Sequence, residues 1–285
     1  MDLIPTARAS VLGLVRHGPA VAWTPPWMNL GNLLYLGLWA FEGMGNDSGR
    51  RVLVHPAQAP SLAVVPHLRE ALFVTRKEVR FTDRRVMPWS DPAPTRTERF
   101  EHPLLAPFVT TMLLPGSPLA AAPPDIDEGT MVVNVRRGDY FSVPAHRAAF
   151  GIDTRAYTLH AVKTSIWAHG LPSAILVVSD DLDWCRAQLG ELADLAPTCF
   201  REGGVAQDLA ALVHAPRLVI PNSTFSYWGG YIGDVLHPGR EVLAPRLFDR
   251  TRDDGLADQL RPHWHRIDEI PGGWDPPPAG AGDAS

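Results

Sequence analysis

Three short clusters carry the residue types that handle phosphates and sugars: Arg136-Arg137-Gly138-Asp139-Tyr140, Ser179-Asp180-Asp181 and Pro221-Asn222-Ser223-Thr224-Phe225-Ser226. A guanidinium is planar, stays charged at any working pH and bonds phosphate oxygens in pairs. Gly138 lets the backbone turn sharply or come close to a ligand. The third cluster offers hydroxyls and free backbone N–H groups at a helix start, a natural anion site. Neither a Walker sequence nor a glycine-rich dinucleotide fingerprint after a first strand accompanies them. A nucleotide held by arginines and hydroxyls, without hydride or γ-phosphate chemistry, points to a sugar-nucleotide diphosphate.

The elements that must position these clusters follow from the hydrophobic pattern. Each cluster comes directly after an apolar run that reads as a buried strand: Met131 to Val135, Ala174 to Val178 and Leu218 to Ile220. Glu241 to Ala244 reads as a last strand. Helices are expected from the Asp153-Thr154 cap to about His169, and over Leu182–Leu189, Gln207–His214 and Phe225–Val235. Strands alternating with helices imply parallel pairing and a doubly wound α/β domain. In such a sheet ligands sit beyond the carboxyl ends of the strands, so the three clusters should converge on one crevice. In the first half, Arg51 to His55 and Leu62 to Val65 read as strands and Leu30 to Glu42 as an apolar helix, a second α/β unit. Nine prolines between Pro88 and Pro124 exclude long helices and central strands, leaving an irregular connector or a loop that shapes a cleft. The expected division is 1–125, with the connector at about 88–125, then 126–270, then a flexible tail 271–285 whose start Trp274 can pin.

The whole chain sets outer limits. Its 285 residues suit one large domain or two. With 26 Lys+Arg against 31 Asp+Glu the formal net charge is -5, so nucleic acid is not an expected partner and phosphate binding must be local. Hydrophobic content of 45% and charged content of 20% exclude the disordered class. Cys185 and Cys199 are too few for a disulfide framework or a four-ligand zinc site, which favours a reducing compartment. Pro5, Arg8, Arg16, His17 and Pro19 break every candidate secretory signal, and no run of 18 apolar residues occurs. The expectation is a cytoplasmic protein without a transmembrane segment, peripheral to a membrane at most.

VVNVRRGDY (132–140), VVSDDLDWC (177–185) and DLAALVHAPRLVIPNSTFSYWGGYIGD (208–234) resemble the three successive motifs of the family 11 glycosyltransferases, the α-1,2-fucosyltransferases. Gly31-Asn32-Leu33-Leu34-Tyr35 is similar, in part, to that family's N-terminal glycine-asparagine segment. The resemblance implies a two-domain GT-B fold with the acceptor side in the first domain and the nucleotide sugar in the second. It also implies GDP-β-L-fucose as donor, an oligosaccharide or glycoconjugate acceptor, inversion at C1, and no metal or other cofactor. Carried onto this chain, it places Arg136 or Arg137 on the pyrophosphate, Asp208 on the guanine edge and Asp180 near the ribose or base. Asn222, Ser223, Thr224 and Ser226 fall with the phosphate-binding motif, and Gly31 and Asn32 with the donor-side residues. Asn134 stands where relatives carry His, and cannot take a proton. Asp139, the carboxylate nearest the pyrophosphate site, is the first candidate for general base.

Plainer readings compete at most of these positions. Arg136-Arg137-Gly138-Asp139 contains an RGD tripeptide and could equally hold a structural Arg–Asp pair. Asp181-Leu182-Asp183 matches the D-x-D metal signature of another transferase fold, while Asp180 or Asp181 could simply cap a helix. Asp208 could be an ordinary first-turn acid. Trp184, Cys185, Tyr227 and Trp228 suit a core, the last two also a sugar platform, and His263-Trp264-His265 a packing or surface feature. Two functional alternatives follow: a transferase using GDP-mannose, another nucleotide sugar or a natural-product acceptor, and a non-catalytic sugar-nucleotide-binding protein.

Overall fold

A computed structural model describes residues 15–45, 49–88, 100–251 and 255–276. These fall into two compact units, one of residues 15–88 with His102–Ser117, the other of residues 100–101 with 118–276. Pro92 and Pro94, and the tail from 277, lie outside the described residues. Each unit is α/β and built on an all-parallel sheet, a GT-B-like makeup.

The first unit has β1 (Ala20–Trp23), α1 (Leu30–Glu42), β2 (Arg50–Leu53), α2 (Pro66–Leu72), β3 (Phe73–Val74) and β4 (Arg84–Val86), in sheet order β3-β2-β1-β4. The helix expected at Leu30 to Glu42 is present with those bounds, apolar enough to bury Leu30, Leu33, Leu34, Leu36 and Leu38. Leu62 to Val65 is not a strand. Ser61–Val64 forms a 3-10 turn between Pro60 and Pro66, because proline cannot donate to a sheet ladder and fixes a helical φ. The connector is likewise less irregular than expected. α3 (Leu105–Phe108) continues in a wider helical turn to Leu113 and buries Leu105, Phe108, Val109, Met112 and Leu113. Pro107 is tolerated there because it sits in the first turn, where its missing N–H has no intrahelical partner to lose.

The second unit runs β5 (Thr130–Val135), α4 (Gly138–Ser142), α5 (Pro144–Phe150), α6 (Thr154–His169), β6 (Ala174–Ser179), α7 (Leu182–Gln188), β7 (Thr198–Phe200), α8 (Val205–His214), β8 (Arg217–Val219), α9 (Thr224–Leu236), β9 (Glu241–Pro245) and β10 (His265–Ile267). The strand order is β10-β9-β8-β5-β6-β7. The chain builds outward from β5 to β7, then returns to β5's other side with β8. The topological switch therefore lies between the carboxyl ends of β5 and β8, where an open α/β sheet binds ligands.

Side-chain alternation assigns the two faces. Met131, Val133 and Val135 pack with Tyr157 and Val162 of α6 and Cys185 of α7. The intervening Asn134 reaches Ser226 of α9. α9 lies close on α8 because its glycines leave room: a Cβ on Gly229 would be 2.5 Å from Leu212 Cβ. Tyr227, Trp228 and Tyr231 of α9 are fully buried, so the first two are packing residues. Arg240, buried behind them, donates to the carbonyls of Leu212, Val213, Gly229 and Gly230; burial pulls its guanidinium down to about 10, with Asp234 opposing. Trp264 stacks on Tyr231, with centroids 5.4 Å apart, and its indole N–H donates to Asp234, which His263 also meets at 2.9 Å. The start of the tail is anchored rather than free: Trp274 is buried, and its carbonyl accepts from the Asp153 N–H and Arg250 Nη2.

Candidate active site

The Arg136 to Tyr140 cluster leaves β5 in a sharp turn that Asp180, at the end of β6, organises. One Asp180 oxygen accepts the Arg137 backbone N–H at 2.8 Å, and the other pairs with Arg136 Nη1 at 2.7 Å. The turn requires glycine at 138, since a Cβ there would lie 2.3 Å from Asp180 Oδ2. Asp180 thus holds the turn from both of its oxygens.

The two arginines divide in their surroundings. Arg136 is half-buried; it bridges Asp139 and Asp180 and lies over the Tyr140 ring. Arg137 is 8% exposed, with its guanidinium 4.0 Å from the Phe141 ring centroid, 4.1 Å from that of Trp184, and 3.3 Å from Asp181. Of the two, it is Arg136 that reaches the switch crevice, where it lines a small pocket with Tyr140, Phe150, Tyr157 and Asn222. Asp181 caps α7 through the Trp184 N–H, while Asp183 pairs with Arg186 on the surface. The D-x-D carboxylates are therefore spent on different arginines.

From β8 the chain enters α9 at Ser223. Tyr157 Oη donates to the Ile220 carbonyl at 2.6 Å and fixes the approach. Ser223 sits at the cap position in extended conformation, yet its side chain makes no capping bond. The first-turn N–H groups of a 13-residue helix therefore point, without a side-chain cap, from the switch. Ser223 is buried and Thr224 half-buried at this helix start. The Ser226 hydroxyl is fully buried and donates to Asn134 Oδ1 at 2.5 Å, while Asn134 Nδ2 donates to the Val178 carbonyl at 3.0 Å. Asn222 Nδ2 likewise donates to the Phe150 and Phe248 carbonyls. Asn134, Asn222 and Ser226, expected on the donor, are buried links among β5, β6, α5, α9 and the loop at Phe248, and Asn134 and Asn222 also line the small pocket beside Arg136.

Asp208 differs from all of these. It lies in the first turn of α8, beyond the carboxyl end of β7, and its buried Oδ1 has no hydrogen-bond partner among the described residues. Gly203 makes room for it, since a Cβ there would be 2.4 Å from Oδ1. Burial raises its carboxyl to about 6, with Arg201 pulling the other way. A buried acceptor without a donor costs free energy, and a ligand's N–H groups can satisfy it.

Asp139, in the first turn of α4, pairs with Arg136, and its second oxygen lies 3.3 Å from His146 Nδ1. Gly31 and Asn32 open α1 in the other unit. Tyr140, which lines the pocket, and His146, beside Asp139, join the site without being expected there from the sequence. Tyr140 Oη donates to the Asn222 carbonyl at 3.3 Å, and burial pushes its phenol up to about 12. Its signal was its place four residues after Arg136, one helical turn along.

The model of the family "Glycosyl transferase family 11" matches residues 126–267. An "Alpha-1,2-colitosyltransferase" from Escherichia coli is 28% identical over 139 residues, covering 48% of this chain and 47% of the relative. A "Galactoside alpha-(1,2)-fucosyltransferase 1" from Aotus azarae is 28% identical over 122 residues, covering 41% of this chain and 32% of the relative. The matched segments thus span less than half of these relatives. A solved structure, "Crystal structure of POFUT1 in complex with GDP", aligns with a TM-score of 0.45 and 13% identity over 80% of this chain and 98% of that one. Among the described residues no helix is long and apolar enough to cross a membrane.

Proposed function

The chain belongs to glycosyl transferase family 11 through residues 126–267, and from that premise we propose that it is an inverting fucosyltransferase. It moves L-fucose from GDP-β-L-fucose to a galactose hydroxyl of a glycan, forming an α-1,2 linkage, without a metal ion. The observation that carries the reading is the buried Oδ1 of Asp208, without a hydrogen bond among the described residues, on the same sheet edge as Arg136 and the N-terminus of α9, which no side chain caps. Guanine offers two adjacent donors, N1–H and the exocyclic amine, which one carboxylate accepts together. Uracil and adenine lack that pair.

The pyrophosphate then lies on Arg136 and the N–H groups of α9, with Ser223 and Thr224 adding hydroxyls. As the acceptor oxygen attacks C1 from the opposite face, the C1–O bond to the β-phosphate breaks and negative charge grows on the leaving GDP. A fixed guanidinium and a helix N-terminus stabilise that charge; losing one such donor costs about 10²–10³ in rate. Asp139 takes the acceptor proton, a contribution of about 10²–10⁴. Arg136 holds it in place. A second reading, transfer of colitose or another sugar from its nucleotide, is favoured by the likeness to a colitosyltransferase.

The test is GDP release, with chelator present, from GDP-fucose and GDP-mannose against a panel of β-galactosides, with product linkage read by NMR. A fucosylated product linked through the galactose 2-hydroxyl is expected. GDP-fucose that binds but transfers to no acceptor would contradict the enzymatic reading.

A further inference from the structure

We propose that Trp23, Arg76 and Arg85 in the first unit form a site for the negative charge of an acidic saccharide, a sugar carboxylate or sugar phosphate. This deepens the reading above and rests on it, because it takes the bound saccharide to be the acceptor.

The sheet register brings these residues together. Arg51, Val21 and Arg85 lie in one row across β2, β1 and β4, and Trp23, two residues along β1, shares their face. Val21, Leu53 and Val74 pack beneath, with Trp23 and Val79 against them. Trp23 ends β1 and Arg76 follows the end of β3, so the cluster stands at the carboxyl edge of a parallel sheet, where such units bind ligands. The guanidinium of Arg76 lies 4.8 Å from the Trp23 ring centroid and that of Arg85 lies 4.4 Å from it.

Two cations on one indole repel each other, and the ring's quadrupole only partly offsets this. Arg51 lies in the field of Glu78, whose carboxylate Thr75 also holds. Arg76 and Arg85 form no ion pair with any described residue. A guanidinium laid on a ring keeps its N–H edge for a planar anion, and two of them match one carboxylate or phosphate. Trp27, four residues on and 69% exposed, offers an uncovered ring for the sugar itself. With a net charge of -5 the chain lacks the broad positive field that an extended polyanion or an anionic bilayer needs.

The experiment uses the full chain labelled with ¹⁵N at tryptophan, the Trp23 indole signal being assigned with Trp23→Phe. Titration with glucuronate or glucose 6-phosphate should move that signal and glucose should not. Whichever of the two acids binds more tightly identifies the charged group. Arg76→Ala with Arg85→Ala should weaken binding about tenfold or more, and Arg85→Lys, which keeps the charge but loses the fork, by less. No shift with either acid, an equal shift with glucose, or a response confined to phosphatidylglycerol vesicles would overturn the proposal. GDP titrated into the same sample reports on the donor site alone, so failure there leaves this site standing and removes only its link to transfer.

Discussion

Arg136 and Arg137 are neighbours in sequence with opposite duties. Arg136 stands half-buried between two carboxylates at the switch crevice, so Arg136→Ala should weaken GDP-fucose binding about 10²-fold with little change in Tm. Arg137 is enclosed by Phe141 and Trp184 and paired with Asp181. Arg137→Ala should cost about 2 kcal/mol of stability, between the values for exposed and buried pairs, as read by denaturant melts. Asp208 supplies a pH signature. Its folded carboxyl titrates near 6, above its ordinary value, so between pH 4 and 6 the folded state holds a proton that the unfolded chain has released. Burying the ionised form is then a cost above pH 6, and Asp208→Asn should leave Tm at pH 7 unchanged or raised. Guanine needs the ionised form, so GDP-fucose affinity should fall about tenfold from pH 7 to pH 5. GDP-fucose has no phosphate titrating in that range, and Asp208→Asn should abolish the pH dependence along with most of the affinity.

The packing of α8 on α9 sets where the open helix N-terminus points. Gly229→Ala forces a Cβ into the space of Leu212, an overpacking cost of about 1–3 kcal/mol, which thermal melts would show together with a weaker GDP affinity of the folded fraction as the helix N-terminus shifts. At this scale much was readable in advance. β5, β6 and β8 are buried on both faces and so appear as continuous apolar runs, and α1 is a long apolar helix. β3 has two residues and β4 is Arg-Arg-Val, so neither shows a period; tertiary pairing alone makes them strands. The three phosphate-and-sugar clusters were legible because each ends a readable strand. The direction of each polar side chain was not: Asn134 and Ser226 bond each other, and the amides of Asn134 and Asn222 donate to the carbonyls of Val178, Phe150 and Phe248. Asp208 was legible as a residue, while its unpartnered oxygen became visible only once Gly203 and α8 were placed.

For the whole molecule, the proposed donor site falls within one of the two units. GDP at about 100 times its Kd stabilises that unit by about 2.7 kcal/mol. Scanning calorimetry should therefore show GDP raising the transition of the unit containing residues 118–276 and leaving the other in place. The site's chemistry needs no net positive charge, because Arg136 and one helix terminus supply it locally within a chain of net charge -5. The central claim is that this local arrangement selects a guanine diphosphate sugar. Calorimetric titration with GDP-fucose and with UDP-galactose, in the presence of chelator, tests it most directly, on the wild type and on Arg136→Ala. Binding of GDP-fucose alone, weakened about 10²-fold by the substitution, is the predicted result. Equal affinity for the uridine nucleotide, or binding restored only by a divalent metal, contradicts it.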